Sequence, residues 1–338
     1  MTAALDPGLA HNVFDVRAST STPVADYVAR NVTASDGVVL AVRDYGSARA
    51  DAPTVVLLHG LCLSQESWEP QVRRLRRRWG SKIRIISYDH RGHGRSADAP
   101  MSTYRIEQLA ADLAEVLAAL HVTGPLTLAG HSMGGMTALA YLARPASQRP
   151  VEPQGLVLVG TAAGGVAERG IARLLDSPAT AAVFGLVDHM PRRATEKAVG
   201  VLLRPLGAAL SRYAGSAAVA LAADAVRTAS LTTATGFLPS LKSYNAYEVL
   251  DFVAAKTIVI SGGTDVLTPA SHSRDMAAAI PGAIHLHHPA AGHMLLQDAS
   301  ECVGDAIGRT MGMLGRFGRA VKAGSSRSCT GHLAIIVS

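Results

Sequence analysis

Several residue types are scarce in this sequence, and each scarcity narrows the class of protein to which it can belong. The 338 residues include only three cysteines, 4% aromatic residues and 17% charged residues. Cys62, Cys302 and Cys329 lie far apart, with neither the spacing of metal ligands nor that of a disulfide framework, which favours a reducing cytoplasm. Because aromatic rings are few, alanine, valine and leucine must fill the core, and 48% hydrophobic residues are enough for a large one.

The sequence also lacks a long apolar run. No stretch reaches the roughly 18 residues that a membrane-spanning helix needs, and the most apolar candidate, residues 217–226, is short and carries Asp224. Residues 1–29 have no basic start followed by an apolar block, so we expect no secretory signal there but a poorly ordered arm. A cytoplasmic location is the resulting expectation.

Basic residues exceed acidic ones, for a net charge of +6, and much of the local excess lies in residues 73–78. Val72, Leu75 and Trp79 recur at helical spacing, which indicates a surface helix with a solvated basic face. No aromatic interleaving or nucleic-acid motif accompanies this run, so nucleic-acid binding is not expected. Peripheral attraction to an acidic membrane surface stays open as an alternative.

Apolar segments of strand length alternate with helical patterns in residues 30–161 and 243–314. A hairpin comes first, because Asp36-Gly37 stands between two β-like runs. The later strands are predicted at 54–58, 83–88, 126–129, 155–159, 257–260 and 283–286, and the helices at 69–79, 106–120, 133–142, 269–279 and 294–314. Continuous apolar strands separated by helices predict an α/β protein with a mostly parallel sheet buried on both faces.

The strand pattern stops in residues 162–242, where alanine, leucine and arginine dominate. This composition predicts a helical insertion that forms a cap or lid. Residues 315–338 form a tail that is first basic, then polar, and ends in an apolar patch at 333–337. No function is assigned to the tail.

The pentapeptide Gly130-His131-Ser132-Met133-Gly134 stands between a predicted strand and a predicted helix. A serine on so tight a turn has a strained backbone, and side chains at 130 and 134 would collide with the passing chain, so glycine is needed there. The hydroxyl then lies at a helix N-terminus, where negative charge is favoured. In a chain with 32 glycines the pattern also arises by chance, so the interpretation of Ser132 as a nucleophile depends on its surroundings.

Three further segments follow predicted strands and are expected at the same edge of the sheet. His59-Gly60-Leu61 comes first, and Gly60 allows its loop to bend back toward Ser132. Asp265 and His293 follow the strands at 257–260 and 283–286. We interpret His59 as a structural histidine bonded to nearby backbone.

These segments, in this order, resemble the α/β-hydrolase superfamily over residues 30–314. The run Asp89-His90-Arg91-Gly92-His93-Gly94-Arg95-Ser96 is also similar to the D-x-R-G-x-G-x-S loop of that superfamily. The resemblance implies a mostly parallel eight-stranded sheet flanked by helices, with a helical cap inserted after strand 6. It also implies an enzyme that needs no cofactor.

The resemblance assigns a role to each segment. Ser132, Asp265 and His293 would be the nucleophile, acid and base of a catalytic triad, and the backbone amides of Leu61 and Met133 would form the oxyanion hole. The glycines 60, 130 and 134 and the histidine at 59 would support the elbow and its loop.

Other residues of the same types compete for these roles. The competitors are Asp188 and Asp251 for the acid, and His90, His93, His285, His287 and His288 for the base or for a metal site. Asp251 precedes its strand rather than following it, so Asp265 is preferred; Asp265 could also cap the next helix, but Thr268 suits that role. The histidines lack carboxylate or cysteine partners at metal spacing, so no metal is expected.

The branch of the superfamily follows from a few positions. A serine at 132 excludes the branches with an aspartate nucleophile, and His131 and Cys62 depart from the carbon–carbon hydrolases and the epoxide hydrolases respectively. Gly-His-Ser-Met-Gly-Gly resembles the esterase, lipase and monoacylglycerol-lipase branch. An apolar, alanine-rich cap favours a small, lipophilic ester as substrate. Haloperoxidase-like perhydrolysis, thioester or carbon–carbon hydrolysis, and a non-catalytic binding protein of the same fold stay open.

Overall fold

One nine-stranded sheet organises the computed structural model, which describes residues 27–46, 51–169, 231–313 and 334–337. In chain order the strands are β1 (Val28–Thr33), β2 (Val39–Tyr45), β3 (Thr54–Leu58), β4 (Arg84–Tyr88), β5 (Leu126–His131), β6 (Pro153–Val159), β7 (Lys256–Gly262), β8 (Ile284–His288) and β9 (Ala334–Val337). Across the sheet their order is β1-β2-β4-β3-β5-β6-β7-β8-β9. The predicted eight strands are confirmed as β1–β8, and β9 from the tail adds an edge strand.

Helices cover both faces of this sheet. Those described are α1 (Glu69–Trp79), α2 (Ile106–Ala119), α3 (Met133–Ala143), α4 (Leu231–Ser243), α5 (Tyr247–Leu250), α6 (Ala270–Ala279), α7 (Leu295–Asp298) and α8 (Ser300–Thr310). The single helix predicted at 294–314 is two helices that meet at Ala299. The other predicted helices are present within one or two residues of their expected ends.

The predicted parallel arrangement is confirmed from β3 to β8. The hairpin strand β2 pairs antiparallel with β4, and β9 pairs antiparallel with β8. Two apolar clusters explain the continuous hydrophobic strands: one contains Leu113 of α2 and Leu139 of α3, and the other contains Leu75 of α1 and Val303 of α8. Each cluster buries one face of the sheet. Because β3 to β8 run parallel, their carboxyl ends lie along one shared edge of the sheet.

The basic helix α1 is less solvated than its sequence predicts. Arg74 forms a 2.9 Å ion pair with Asp305 of α8, and Arg78 lies 3.7 Å from the same carboxylate. Arg73 pairs with Glu69 within the helix. Part of the basic face therefore joins α1 to α8, which contributes packing and leaves less charge available to an external acidic surface.

The structure describes only the two ends of the predicted cap, residues 162–169 and 231–242. Phe237 of α4 packs its ring against Tyr104 and His93, with centroids 5.1 and 5.8 Å apart. Residues 170–230, which make up most of the predicted cap, lie outside the described residues, as do residues 1–26 and 314–333. The strand β1 starts at Val28, two residues before the predicted start of the core. None of the described helices combines the length and the apolarity needed to cross a bilayer.

A buried arginine anchors the loop at residues 89–96. The guanidinium of Arg91 donates to both carboxylate oxygens of Asp112, at 2.7 and 2.6 Å, and its third nitrogen donates to Asp36 at 2.7 Å. The Arg91 and Asp112 side chains are fully buried. The bonds to Asp112 tie the loop to helix α2, and the bond to Asp36 ties it to the hairpin between β1 and β2. Together they hold the loop at the shared edge of the sheet.

Breaking this buried pair should destabilise the fold. Asp112→Ala leaves the Arg91 charge buried without its bidentate partner, so we expect the free energy of unfolding to fall by about 3–5 kcal/mol. Glu152→Ala, which removes an exposed partner of Arg149, should cost no more than about 1 kcal/mol. Urea unfolding of both variants measures the difference, and equal losses would contradict the assigned role.

Three histidines, at positions 59, 90 and 93, pack together. The ring centroid of His59 lies 4.4 Å from that of His90 and 5.2 Å from that of His93. Burial lowers the pKa of His59 to about 4 and that of His93 to about 3. The imidazoles are therefore neutral in the folded protein at neutral pH and act as hydrogen-bonding rings rather than as cations.

These lowered pKa values predict acid sensitivity. The unfolded chain protonates its histidines near pH 6.5, so between about pH 6.5 and 4 it binds more protons than the folded chain, and stability falls by up to about 1.4 kcal/mol per pH unit for each such histidine. We expect the melting temperature to decline steadily over this range. His93→Gln, which cannot be protonated, should have a shallower decline. Equal melting temperatures at pH 7.5 and 5 would refute this account.

Candidate active site

Ser132 lies on a strained turn between β5 and α3. Its φ is +52° and its ψ is −120°, a conformation that L-residues rarely adopt. A Cβ at Gly130 would overlap the backbone of Gly134, and a Cβ at Gly134 would overlap the carbonyl of Leu58. The chain crosses itself so closely here that only glycine fits at either flank, which leaves the half-buried serine at the start of a helix.

Two hydrogen bonds to the main chain of Ser132 hold this turn in place. The amide of Ser132 donates to the carbonyl of Val159, at the end of the neighbouring strand β6, at 2.9 Å. The Thr161 hydroxyl donates to the Ser132 carbonyl at 2.7 Å. Such contacts over-determine the turn, as a strained functional backbone requires.

Asp265 and His293 meet at the ends of β7 and β8. Asp265 Oδ2 lies 2.8 Å from His293 Nδ1, and Asp265 Oδ1 accepts from the amides of Leu267 and Thr268 at 2.9 Å each. Burial alone would raise the pKa of Asp265, but the attraction of His293 and the hydrogen bonds together hold it below its ordinary value. Asp265 is therefore an anion that orients the imidazole.

Thr268 has a different role from the one its sequence position predicts. Its hydroxyl lies 2.8 Å from the Gly160 carbonyl, 2.9 Å from Asp265 Oδ2 and 3.3 Å from His293 Nδ1. Helix α6 instead begins after Pro269 without a side-chain cap. The predicted N-cap at Thr268 is therefore wrong: the hydroxyl faces the carboxylate, and the three-residue spacing from Asp265 was the available signal.

The loop after β3 reaches back to the serine turn, as Gly60 predicts. A Cβ at Gly60 would lie 3.1 Å from both Ser132 Cβ and His131 Nδ1. His59 Nδ1 donates to the Gly60 carbonyl at 2.8 Å, and His59 Nε2 accepts from the His90 amide at 2.9 Å. His59 thus bonds only to backbone in these two contacts, which matches its interpretation as a structural histidine.

Cys62, two residues after Gly60 in the same loop, also has a strained backbone. Its φ is +58°, and its amide donates to His93 Nε2 at 3.2 Å, while His93 Nδ1 donates to the Arg91 carbonyl at 3.0 Å. Within the described residues, the amides of Leu61 and Met133 donate to no carbonyl or side chain. Two unpaired donors beside Ser132 could bind a developing negative charge.

The competing histidines and Asp251 take no part in the contact between Asp265 and His293 within the described residues; His90 and His93 pack beside His59. His285 Nε2 and His287 Nδ1 both contact the Ser261 hydroxyl, at 2.8 and 2.9 Å. Asp251 is exposed before β7, and Asp188 lies outside the described residues. Over the ranges that the structure describes, no three histidine, cysteine or acidic side chains are grouped to hold a metal ion.

His131 is the one residue of the pentapeptide whose contact the sequence does not foretell. Its Nε2 lies 2.9 Å from the carbonyl oxygen of His293, 162 residues further along the chain. With Asp265 at Nδ1, the neutral His293 ring carries its proton on that nitrogen, so its Nε2 is free to accept a proton. A serine, a proton acceptor, an orienting carboxylate and two amide donors are the parts needed for acyl transfer.

The chain is similar in sequence to known proteins over part of its length. The chain is 36% identical over 124 residues to the protein EphD of Mycobacterium tuberculosis, a match that covers 36% of this chain and 20% of EphD. It is also 36% identical over 129 residues to a non-heme haloperoxidase from Rhodococcus erythropolis, covering 38% of this chain and 43% of that protein. The chain thus matches less than half of the length of either curated relative.

The fold matches solved structures over a larger part of the chain. An esterase from Rhodococcus sp. ECU1013 superposes with a TM-score of 0.61 at 27% identity, over 85% of this chain and 99% of that one. Residues 53–299 match the model of the family described as "alpha/beta hydrolase fold". With the parallel sheet and the strained serine turn, this match shows that the chain belongs to the alpha/beta hydrolase fold family.

Proposed function

We propose that this chain is a serine hydrolase that cleaves a carboxylic ester through an acyl-enzyme on Ser132. The observation that carries the proposal is the 2.8 Å contact between Asp265 and His293 at two strand ends beside a serine with positive φ. An acid–imidazole pair has many structural uses. Its combination with a strained serine at a helix start and two unpaired amides favours nucleophilic catalysis.

The reaction proceeds in two halves. His293 Nε2 takes the proton of the Ser132 hydroxyl, whose oxygen bonds to the ester carbonyl carbon, and the amides of Leu61 and Met133 stabilise the oxyanion. The carbon–oxygen bond to the alcohol breaks, and the alcohol leaves with the proton from His293. Water then attacks the acyl-enzyme, with His293 taking and returning a proton, and the carboxylic acid is released. No cofactor takes part in these steps.

A lipophilic acyl group is the proposed substrate class. Leu61 is partly exposed beside its amide, and Val266, next in the chain to Asp265, is 40% exposed. Apolar side chains at these two positions would contact an acyl chain rather than a charged group. The alanine-rich composition of residues 162–242 agrees with that preference.

Perhydrolysis is a second candidate, favoured by the 36% identity to a non-heme haloperoxidase. In this reaction hydrogen peroxide replaces water as the nucleophile toward the acyl-enzyme, so that a peroxy acid is released instead of a carboxylic acid. The same Ser132, His293 and Asp265 would act. The amounts of peroxy acid and carboxylic acid released from one ester, measured over a series of hydrogen peroxide concentrations, separate the two activities.

Removing the serine hydroxyl tests the proposal directly. Ser132→Ala should lower the hydrolysis of a p-nitrophenyl ester by about 10⁴-fold or more, because no acyl-enzyme can form. A fluorophosphonate probe should label the wild-type chain at Ser132 and leave the variant unlabelled. Labelling of both, or equal hydrolysis rates, would exclude a serine mechanism.

Replacing the carboxylate tests the acid. Asp265→Asn should lower kcat by about 10³–10⁴-fold, since an amide no longer fixes the tautomer of His293 or stabilises its charged form. Asp251→Asn, a matched change at the exposed competing aspartate, should leave kcat unchanged. Steady-state kinetics of both variants decide the assignment, and a loss in the Asp251 variant alone would transfer the role to that residue.

A further inference from the structure

The nucleophile and the base belong to strands that do not touch. Ser132 follows β5 and His293 follows β8, and β6 and β7 lie between those strands in the sheet. At about 4.8 Å per neighbour, the two strands are about 14 Å apart, and no ladder of main-chain hydrogen bonds joins them directly. Some other contact must fix the position of His293 relative to the serine turn.

One side chain crosses this gap. His131, the last residue of β5, is fully buried, and its Nε2 lies 2.9 Å from the His293 carbonyl oxygen. The two rings are 5.0 Å apart between centroids and tilted by 51°. Because His131 immediately precedes Ser132, any shift in this contact changes the position of the base relative to the nucleophile.

The protonation of His131 follows from its partner. A carbonyl oxygen only accepts hydrogen bonds, so Nε2 must carry the proton and Nδ1 must bear the lone pair. Burial, and then the nearby His293, lower the pKa of His131 to about 3, so the ring is neutral at neutral pH. The donor at Nε2 is therefore present throughout the pH range in which His293 would work as a base.

The other ring nitrogen has no partner. Nδ1 is buried, faces Gly60 and makes no hydrogen bond among the described residues. An unpaired buried acceptor is destabilising, because it has lost its hydrogen bonds to water without replacing them. A phenylalanine would fill the same space without that cost, so the bond at Nε2 is the physical reason for an imidazole at this position.

We propose that His131 is a positioning residue that fixes the main chain of His293 relative to Ser132. The inference rests on the proposed function and adds a determinant of its geometry. His293 then has two anchors: Asp265 orients its ring through Nδ1, and His131 holds the main chain from which that ring extends. Losing the second anchor leaves the Asp265 contact in place but lets the base drift from the serine.

The test compares variants that differ in the donor. His131→Phe keeps the ring and removes the donor, so kcat should fall about 10–100-fold while KM stays nearly unchanged, because a displacement of about 1 Å at the reacting groups costs about that much. His131→Gln places an amide nitrogen near the former Nε2 and should recover most of kcat. His131→Asn, whose amide reaches only as far as Nδ1, should not.

A second buried histidine provides the control. His272 of α6 is fully buried, and neither of its ring nitrogens has a hydrogen-bond partner in the described part of the chain. His272→Phe is thus the same substitution without a lost bond and should leave kcat and KM unchanged. Melting temperatures of all variants report whether each one folds.

The outcomes separate this proposal from the proposed function. Recovery by Gln but not by Asn, with unchanged kcat in His272→Phe, supports the positioning role. Equal kcat in the Gln and Asn variants of His131, or a kcat of His131→Phe within about twofold of wild type, overturns it. If Ser132→Ala keeps the wild-type rate, the proposed function fails, whatever the His131 variants do.

Discussion

The crossing of the chain at Ser132 is the constraint on which the site depends. Strand β5 must end, turn and start α3 so tightly that Gly130 and Gly134 meet neighbouring backbone where a Cβ would stand. The loop at Gly60 then packs against the same turn, so closely that a Cβ at position 60 would lie 3.1 Å from the Cβ of Ser132. Under the proposed mechanism, this one steric condition would place both the Ser132 hydroxyl and the Leu61 and Met133 amides that stabilise the oxyanion.

The parallel sheet supplies the rest of the geometry. Because β3, β5, β7 and β8 run in the same direction, the loops that follow them gather at one edge, although they are far apart in sequence. The buried Arg91–Asp112 pair and the neutral histidines beneath those loops hold the edge from below. Charge is kept to few positions there: Asp265 is an anion with four hydrogen-bond contacts, whereas the buried imidazoles of His59, His93 and His131 are neutral.

Under the proposed mechanism, the contacts that hold the ring and the main chain of His293 have a physical purpose. Proton transfer depends on a correctly placed Nε2 on His293, and a ring held only at Nδ1 could still swing with its main chain. The contact from His131 removes that freedom by using the residue next to the nucleophile. Under the proposed mechanism, the His131 contact would then fix the position of the base relative to the nucleophile directly.

The sequence by itself determined the periodicity of the elements, the parallel sheet and the strand ends that carry Ser132, Asp265 and His293. These are local features: apolar runs, glycines at a forced turn, and polar residues after strands. Only the tertiary structure decided what the side chains touch. Thr268 turned from the expected cap to the carboxylate, the basic face of α1 met Asp305, and residues 334–337 became a ninth strand. The bond between His131 and His293 spans 162 residues, and no local pattern encodes a contact that exists only once distant strands have packed together.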